Sequence, residues 1–211
     1  MQRTIGWMVA ALLITACTAP LFAATTEVFR NDKVMVTEVK LAPGGLEPAD
    51  GVNANLVVVL TGDRLQIRLV HGFHSQFVKR GDTINLPEGA QSLTNTGPTP
   101  LRLVRVEFLA AGSDESWGMT GLPPNYKILI EDRHSRTYEI KIPAHAWEPQ
   151  HTHHARVVIC LNGAQLEHVL PDGTRQPSTL KTDEVTWRPA QTHTGHNLGD
   201  TDLWCIAIEP K

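Results

Sequence analysis

The sequence predicts an all-β protein made of two similar halves in tandem. Short apolar runs rich in β-branched residues, such as LVVVL and VVICL, end in Thr-Gly or Asn-Gly turn signals, and other segments alternate apolar and polar residues. Sixteen glycines and 14 prolines are spread along the chain without a period, which is typical of a turn-rich β protein. Many short strands with close turn signals favour a sandwich or a barrel.

The composition narrows the class of protein. The 211 residues are 41% hydrophobic and 19% charged, which is ordinary for a folded globule and excludes a disordered or coiled-coil chain. A net charge of −3 without a strongly basic stretch argues against a general nucleic-acid binder. Three cysteines are too few for a disulfide scaffold. Most of the ten histidines lie from His134 onward, which favours a site in the later half.

Residues 1–24 predict a signal peptide. Arg3 supplies a positive charge, and the apolar run IGWMVAALLITA is too short to span a bilayer. Two processing routes stay open: the tetrapeptide ITAC resembles a bacterial lipobox ending at Cys17, and an ordinary signal peptidase could cut near Ala24. Both routes predict a secreted or periplasmic protein, and the first adds a lipid anchor on Cys17.

The later half of the chain repeats two blocks of the earlier half. Residues 38–62 align without a gap with residues 139–163, and residues 79–107 align with 181–209. Two blocks in the same order predict two domains of one kind, which we place at residues 27–110 and 127–211. The stretch 111–126, rich in Gly, Ser and Pro, is the predicted linker.

Two spaced motifs stand out in the later half. The first is His151-Thr152-His153, an H-x-H that Gly163 closes. The second contains Pro189, His193 and Asn197. These motifs resemble the two metal-site motifs of the cupin superfamily of small jelly-roll barrels, with one residue fewer than usual between Pro189 and His193. The resemblance implies two jelly-roll (cupin) barrels in tandem, a bicupin, over nearly all of the mature chain.

Three histidines are the predicted metal ligands. His151 and His153 are two residues apart, which on a strand puts both imidazoles on one face. His193 comes from a distant segment and joins them only if the barrel folds as the resemblance implies. Three neutral imidazoles suit a divalent transition metal, and Fe, Mn, Ni, Cu and Zn all remain open.

The match to the family is incomplete. The glutamate that is usually the fourth ligand falls at Val157 or Val158, which cannot bind a metal. Some cupin thiol dioxygenases also use three histidines, so the resemblance keeps an iron enzyme open. Glu148 and Glu167 are the candidate substitutes or proton-transfer residues, with Glu167 as the predicted catalytic residue. His168 is expected at the surface.

The earlier half lacks the ligands. Its aligned positions hold Asp50, Val52 and Gln91, which predicts a degenerate barrel without a metal. Family topology also implies that Cys160 and Cys205 lie on neighbouring strands of the later barrel. A disulfide and two buried free thiols both stay open for this pair, and a metal-ligand role of Cys160 is the third option.

The predicted function is a metal-dependent enzyme that acts on a small organic molecule. Dioxygenation is the favoured reaction, with lyase or isomerase action as a close second. The alternative is a non-catalytic protein of the cell envelope that binds a ligand or a metal. The expected partner is a small-molecule substrate or ligand, with no nucleic acid and no membrane contact beyond a lipid on Cys17, and homo-oligomerisation stays open.

Overall fold

The computed structural model describes residues 21–49, 53–86 and 89–211. Cys17, Asp50, Val52 and Pro87 lie outside these ranges. The described residues form eighteen strands and no helix, which confirms the all-β fold class. Within them, accordingly, no helix has the length and apolar content to cross a membrane.

Two sets of nine strands follow one another along the chain. The earlier set consists of β1 (Ala24–Arg30), β2 (Val34–Leu41), β3 (Leu46–Pro48), β4 (Asn55–Thr61), β5 (Arg64–Leu69), β6 (Gly72–Phe77), β7 (Thr83–Leu86), β8 (Ser92–Asn95) and β9 (Leu101–Phe108). The later set consists of β10 (Lys127–Glu131), β11 (Ser135–Ile142), β12 (His151–His153), β13 (Arg156–Asn162), β14 (Ala164–Val169), β15 (Arg175–Leu180), β16 (Val185–Arg188), β17 (Gln191–Asn197) and β18 (Leu203–Pro210).

Each set folds into a barrel of two antiparallel sheets. The earlier barrel has a five-stranded sheet in the order β1-β2-β9-β4-β7 and a four-stranded sheet in the order β3-β8-β5-β6. The later barrel repeats this topology nine strands further on, with β10-β11-β18-β13-β16 and β12-β17-β14-β15. The prediction of two jelly-roll barrels in tandem is therefore confirmed.

Residues 157–161 of strand β13 are all apolar because both faces of the strand are buried there. Val157, Ile159 and Leu161 face a core shared with the earlier barrel, whereas Val158 and Cys160 face the interior of the later barrel. A strand covered on both sides reads as a continuous apolar run rather than an alternating one.

The shared core joins the two five-stranded sheets face to face. It is built from fully buried aliphatic residues and one phenylalanine, contributed by both barrels: Val34, Val36, Leu56, Val58, Leu60, Val104, Val106, Phe108, Val157, Ile159, Leu161, Ile206 and Ile208. Each barrel thus covers the apolar outer face of the other, as the layers of a single domain do.

An ion-pair cluster also joins the barrels. The Asp183 carboxylate of the later barrel accepts hydrogen bonds of 2.6 Å from both Arg80 and Arg102 of the earlier one. Asp183 has a φ of 65°, in the left-handed region that favours glycine, and it stands where the second cupin motif opens with glycine. The aligned Gly81 has a φ of 87°, and a Cβ there would lie 2.5 Å from the ring of Trp204.

The linker is fastened to the later barrel. Glu131 on β10 accepts hydrogen bonds from the backbone N–H groups of Trp117 and Gly118. The buried Arg136 on β11 donates to the carbonyl oxygens of Gly118 and Thr120. Two buried or half-buried charges therefore hold this loop, which contains no strand.

Candidate metal centre

The later barrel brings the three predicted histidines together. His151 and His153 lie on β12, which pairs with β17 so that His151 is directly opposite His193. All three are buried, with exposed fractions of 4%, 2% and 3% respectively. One ring nitrogen from each lies within 4.8 Å of the others, and the Nε2 atoms of His151 and His153 are 2.9 Å apart.

Hydrogen bonds at Nδ1 orient two of the rings. His151 Nδ1 lies 2.8 Å from the carbonyl oxygen of Pro149, and His193 Nδ1 lies 3.2 Å from Oε1 of Gln191. Both partners can only accept, so each Nδ1 carries the proton and each Nε2 keeps its lone pair. These two rings therefore present unprotonated nitrogens to the common point.

A buried network orients His153. Its Nδ1 lies 2.6 Å from the Tyr138 hydroxyl, which itself donates to Glu209 at 2.9 Å. Since the hydroxyl hydrogen is used toward Glu209, the Nδ1–H of His153 donates to the hydroxyl oxygen. Glu209 is also paired with Arg136 and accepts the backbone N–H of His154, and Arg136, Tyr138 and Glu209 are completely buried.

Burial keeps these imidazoles neutral. It lowers the pKa of His153 to about 3 and that of His193 to about 2, with nearby histidines adding to the shift at His193. His168 on β14 stacks on His193 with ring centroids 4.2 Å apart, and burial lowers its pKa to about 4. The expectation that His168 lies at the surface is wrong, because its side chain faces the interior of the barrel, where it lines the cavity and stacks on His193.

A cavity of about 230 Å³ adjoins the histidines inside the later barrel. Its polar wall contains Tyr126, Glu148, His153, Arg156, His168, Arg188 and His193. Its apolar wall contains Ile140, Ile142, Val158, Leu166, Leu180, Leu203 and Cys205. The lining of the cavity thus combines aliphatic side chains with arginine, histidine, tyrosine and glutamate side chains.

Glu148 is the carboxyl group of this cavity. It is buried, and burial raises its pKa to about 7, an effect that the neighbouring Tyr126 hydroxyl and Arg156 guanidinium only partly offset. Its Oε1 has no hydrogen-bond partner. A Cβ at residue 195 would lie 2.5 Å from its Oε2, so Gly195 on β17 makes room for this side chain.

Glu167 lies elsewhere. It is on β14 between Leu166 and His168, which both line the cavity, so its own side chain is on the opposite face of the strand. There its Oε2 pairs with Arg175 Nη1 at 2.5 Å. The structure therefore brings Glu148, but not Glu167, to the cavity beside the three histidines.

The two cysteines are free thiols in the structure. Cys160 on β13 and Cys205 on β18 are directly opposite each other, and both are fully buried. The backbone N–H and C=O of Cys160 bond to Glu184 and Asp183 instead of to Cys205, so the cysteines form a non-hydrogen-bonded cross-strand pair.

The earlier barrel has an ion pair in its interior. Glu47, the counterpart of Glu148 in the repeat, is buried and lies 2.9 Å from Nη1 of Arg105 on β9. The residue that aligns with Arg105 in the later barrel is Ala207. Gln91, which aligns with His193, is exposed, and in the described ranges the one histidine cluster of metal-site dimensions is that of the later barrel.

Comparison with known proteins shows similarity in fold. No protein-family model matches the sequence, and no curated protein matches it either. AerE from Microcystis aeruginosa superposes with a TM-score of 0.63 at 14% identity, over 92% of this chain and 100% of AerE. A cupin 2 conserved barrel domain protein from Leptotrichia buccalis gives 0.61 at 13% identity, over 94% and 93% of the two chains.

A third similar structure is the oxalate decarboxylase of Bacillus subtilis. One of its variants superposes with a TM-score of 0.60 at 14% identity, over 91% of this chain and 74% of the decarboxylase. That enzyme has Mn(II) centres. At such low identity these likenesses show the fold, and the chemistry of the present chain has to be argued from its own residues.

Proposed function

Since the chain has the fold of a bicupin, two cupin barrels in tandem, we propose that its later barrel binds one divalent transition metal ion through His151, His153 and His193. The observation that carries this proposal is the orientation of the rings. The Nε2 atoms of His151 and His153 are 2.9 Å apart while both Nδ1 atoms act as donors, so two lone pairs face each other. A cation between them would turn that repulsion into attraction.

The donor set fits a borderline metal. Three neutral imidazoles suit Fe, Mn, Ni, Cu or Zn, and with no carboxylate ligand the ion would keep its full positive charge. Manganese is the first to test because the oxalate decarboxylase of similar fold has Mn(II) centres. When bound, the metal would supply Lewis-acid or redox chemistry at positions left open by the three ligands.

We further propose that the protein is an enzyme acting on a small organic molecule held in the adjoining cavity. Tyr138, Glu209 and Arg136 hold His153 in place, and Glu148 is the proposed proton-transfer residue. Its pKa of about 7 allows it to hold or release a proton at neutral pH. Dioxygenation is the proposed reaction, and a lyase or isomerase reaction would use the same residues.

Metal binding is tested by elemental analysis of the purified protein after refolding with each metal. We expect about one metal ion per chain in the wild type and in His196→Ala, and none in His193→Ala. His196 lies on the same strand but stacks on Trp147, away from the cluster, and so serves as the matched control. A folded wild type that retains none of the metals would overturn the proposal.

Catalysis is tested by oxygen consumption of the metal-loaded protein with a panel of small acids, thiols and phenols. For a substrate that is turned over, Glu148→Gln should lower kcat by about 10²–10⁴-fold, because it removes the proton-transfer group. Glu167→Gln should have little effect. The opposite ranking would assign the role to Glu167, and bound metal without any turnover would favour the non-catalytic binding protein.

We also propose that the protein is exported from the cytoplasm. The leader-like residues 1–24 and the lipobox at Cys17 support a protein outside the cytoplasm, tethered by a lipid. Growth of the producing bacterium with labelled palmitate should label the wild type and not Cys17→Ala. Equal labelling of the two proteins would refute the lipid on Cys17.

A further inference from the structure

We propose that the cavity of the later barrel binds a short aliphatic monocarboxylate and that Arg156 holds its carboxylate group. This inference deepens the proposed function, on which it rests, since the carboxylate would be the substrate or a substrate analogue. Arg156 begins β13, three residues after His153, and lines the cavity together with the histidines.

Arg156 is a buried charge without an acidic partner. Its side chain is 5% exposed, and no carboxylate among the described residues forms an ion pair with it. It donates only from Nη1, at 3.3 Å, to the carbonyl oxygens of His154 and Pro189, and its Nε has no partner. A buried guanidinium is normally paired, because leaving it uncompensated is strongly destabilising.

A second arginine adds to the positive charge. Arg188 on β16 is directly opposite Arg156 on β13, and both line the cavity. Like charges in directly opposed positions destabilise a sheet unless something neutralises them. Glu148 is the one acid of the cavity wall, and the nearby Glu209 is already engaged by Arg136 and Tyr138. Neither Glu148 nor Glu209 forms an ion pair with Arg156, so an anion that enters from outside can serve as its counterion.

The remaining wall and the volume limit what that anion can be. Six aliphatic side chains line the cavity, so a ligand whose carboxylate meets Arg156 can pack an apolar chain against them. At about 30 Å³ for each water-sized group, 230 Å³ holds roughly eight non-hydrogen atoms. A branched monocarboxylate of about five carbons would bury its apolar chain against these side chains, whereas a dianion as small as oxalate would leave most of them uncovered.

The probe is 3-methyl-2-oxobutanoate, and its uncharged counterpart is 3-methyl-2-butanone, which has a methyl group in place of the carboxylate. Isothermal titration calorimetry on the full protein, metal-loaded and metal-free, should show the acid binding at least tenfold more tightly than the ketone. Arg156→Met should weaken the acid at least tenfold and leave the ketone unchanged. Arg175→Met, on the outer face beside Glu167, is the matched control and should bind like the wild type.

Thermal unfolding separates a binding role from a structural one. Without ligand, Arg156→Met should melt at the same temperature as the wild type or higher, since an uncompensated buried charge is removed. With the acid present, the wild type should gain thermal stability and the variant should not. A variant that melts lower without ligand, or an acid affinity within twofold of wild type, would overturn the proposal.

The same measurements distinguish this inference from the proposed metal site. If elemental analysis finds no metal but the acid still binds through Arg156, the metal proposal fails and this one stands. If the metal binds but Arg156→Met does not change the affinity for the acid, this inference fails and the metal proposal stands. The same holds if the ketone binds as tightly as the acid.

Discussion

At the scale of single residues, each histidine of the cluster has a different partner at Nδ1. A backbone carbonyl holds His151 and an amide oxygen holds His193, whereas His153 is held by the Tyr138 hydroxyl. Only Tyr138 continues into a charged network, through Glu209. The chain of hydrogen bonds from His153 through Tyr138 to the buried Glu209 carboxylate increases the basicity of the ring. His153 is therefore the strongest metal ligand of the three.

The first prediction concerns Tyr138→Phe. Losing the hydroxyl removes the partner of His153 Nδ1, and we expect metal affinity to fall by about 10–100-fold while the barrel stays folded. Competition with a chelator of known affinity measures this change. Tyr126→Phe is the control, because its hydroxyl is beside Glu148 rather than beside His153. An equal loss in both variants would contradict the assignment.

The second prediction concerns acid pH in the absence of metal. His153, His168 and His193 have pKa values of about 3, 4 and 2 in the folded protein against 6.5 for an unperturbed histidine. Below pH 6.5 the unfolded chain therefore binds protons that the folded chain does not, and stability falls as the pH falls. The loss is at most about 1.4 kcal/mol per pH unit for each histidine.

Glu148 acts in the opposite direction. Its pKa of about 7 in the folded protein exceeds the usual 4.5, so between these values the folded state binds the extra proton and gains stability as the pH falls. Three histidines outweigh one glutamate, and the net stability should decline from pH 6.5 to 5. Urea unfolding in chelator at several pH values measures it. Glu148→Gln should steepen the decline, and a flat profile would contradict the prediction.

At the scale of strands, the alternation of side chains between the two faces explains which site residues could be predicted from the sequence. The spacing of His151 and His153 already puts them on one face of a strand, and the second motif points to His193, so the cluster could be predicted. Strand β13 offers no such signal: VVICL is apolar on both faces, so the sequence does not indicate that Arg156 faces inward. The direction of that side chain is set by pairing with β16 and β18.

Strand β14 misleads for a related reason. In AQLEHV the polar and apolar residues do not alternate cleanly, so Glu167 and His168 are equally plausible interior residues from the sequence. The structure puts His168 in the cavity and Glu167 outside it, beside Arg175. Glu148 is aligned with Glu47 in the repeat, but its burial depends on Gly195 of another strand, which no local pattern reveals.

The third prediction concerns the ion pair inside the earlier barrel. Arg105→Ala leaves the Glu47 carboxylate buried without a partner, which should lower the free energy of unfolding by about 3 kcal/mol. Replacing both residues by Met should recover most of that loss, since no charge then remains buried. Urea titration measures both variants.

Arg68→Ala, on the exposed face of β5, is the control and should change the free energy of unfolding by less than about 0.5 kcal/mol. A double variant no more stable than Arg105→Ala would show that the two side chains contribute through packing rather than through their charges.

At the scale of the whole molecule, the repeat predicts two barrels but not the way in which they pack. Each barrel has its own interior core, and a third core lies between them. The outward-facing residues of β4 and β13 both lie in this shared core. Each barrel taken alone would therefore expose an apolar face to water. The apolar runs can be recognised in the sequence. The sheet against which each run packs cannot be predicted from it, because that depends on how the two barrels are arranged.

The fourth prediction is that the two barrels unfold together. In the described ranges all four tryptophans lie in the later half, at Trp117, Trp147, Trp187 and Trp204, so their fluorescence reports on that half. Leu60→Ala, in the earlier barrel, removes a side chain from the shared core and should cost about 2–5 kcal/mol. The unfolding midpoint seen by tryptophan fluorescence should fall as far as that seen by far-UV circular dichroism.

Val70→Ala, on an exposed side chain of the earlier barrel, should leave both midpoints in place. Two separate transitions in the wild type, or a Leu60→Ala shift in circular dichroism without one in fluorescence, would show that the barrels unfold independently.

Because the two five-stranded sheets pack face to face, the folded protein does not need the peptide connection between its barrels to stay together. A protease that cuts at the exposed Asp114–Ser116 stretch would leave the remainder of the linker tied to β10 and β11. The two fragments should then elute as a single particle, held by buried surface and by the carboxylate of Asp183. A nicked molecule of this kind would keep its cavity, because every residue of the cavity wall comes from the C-terminal fragment.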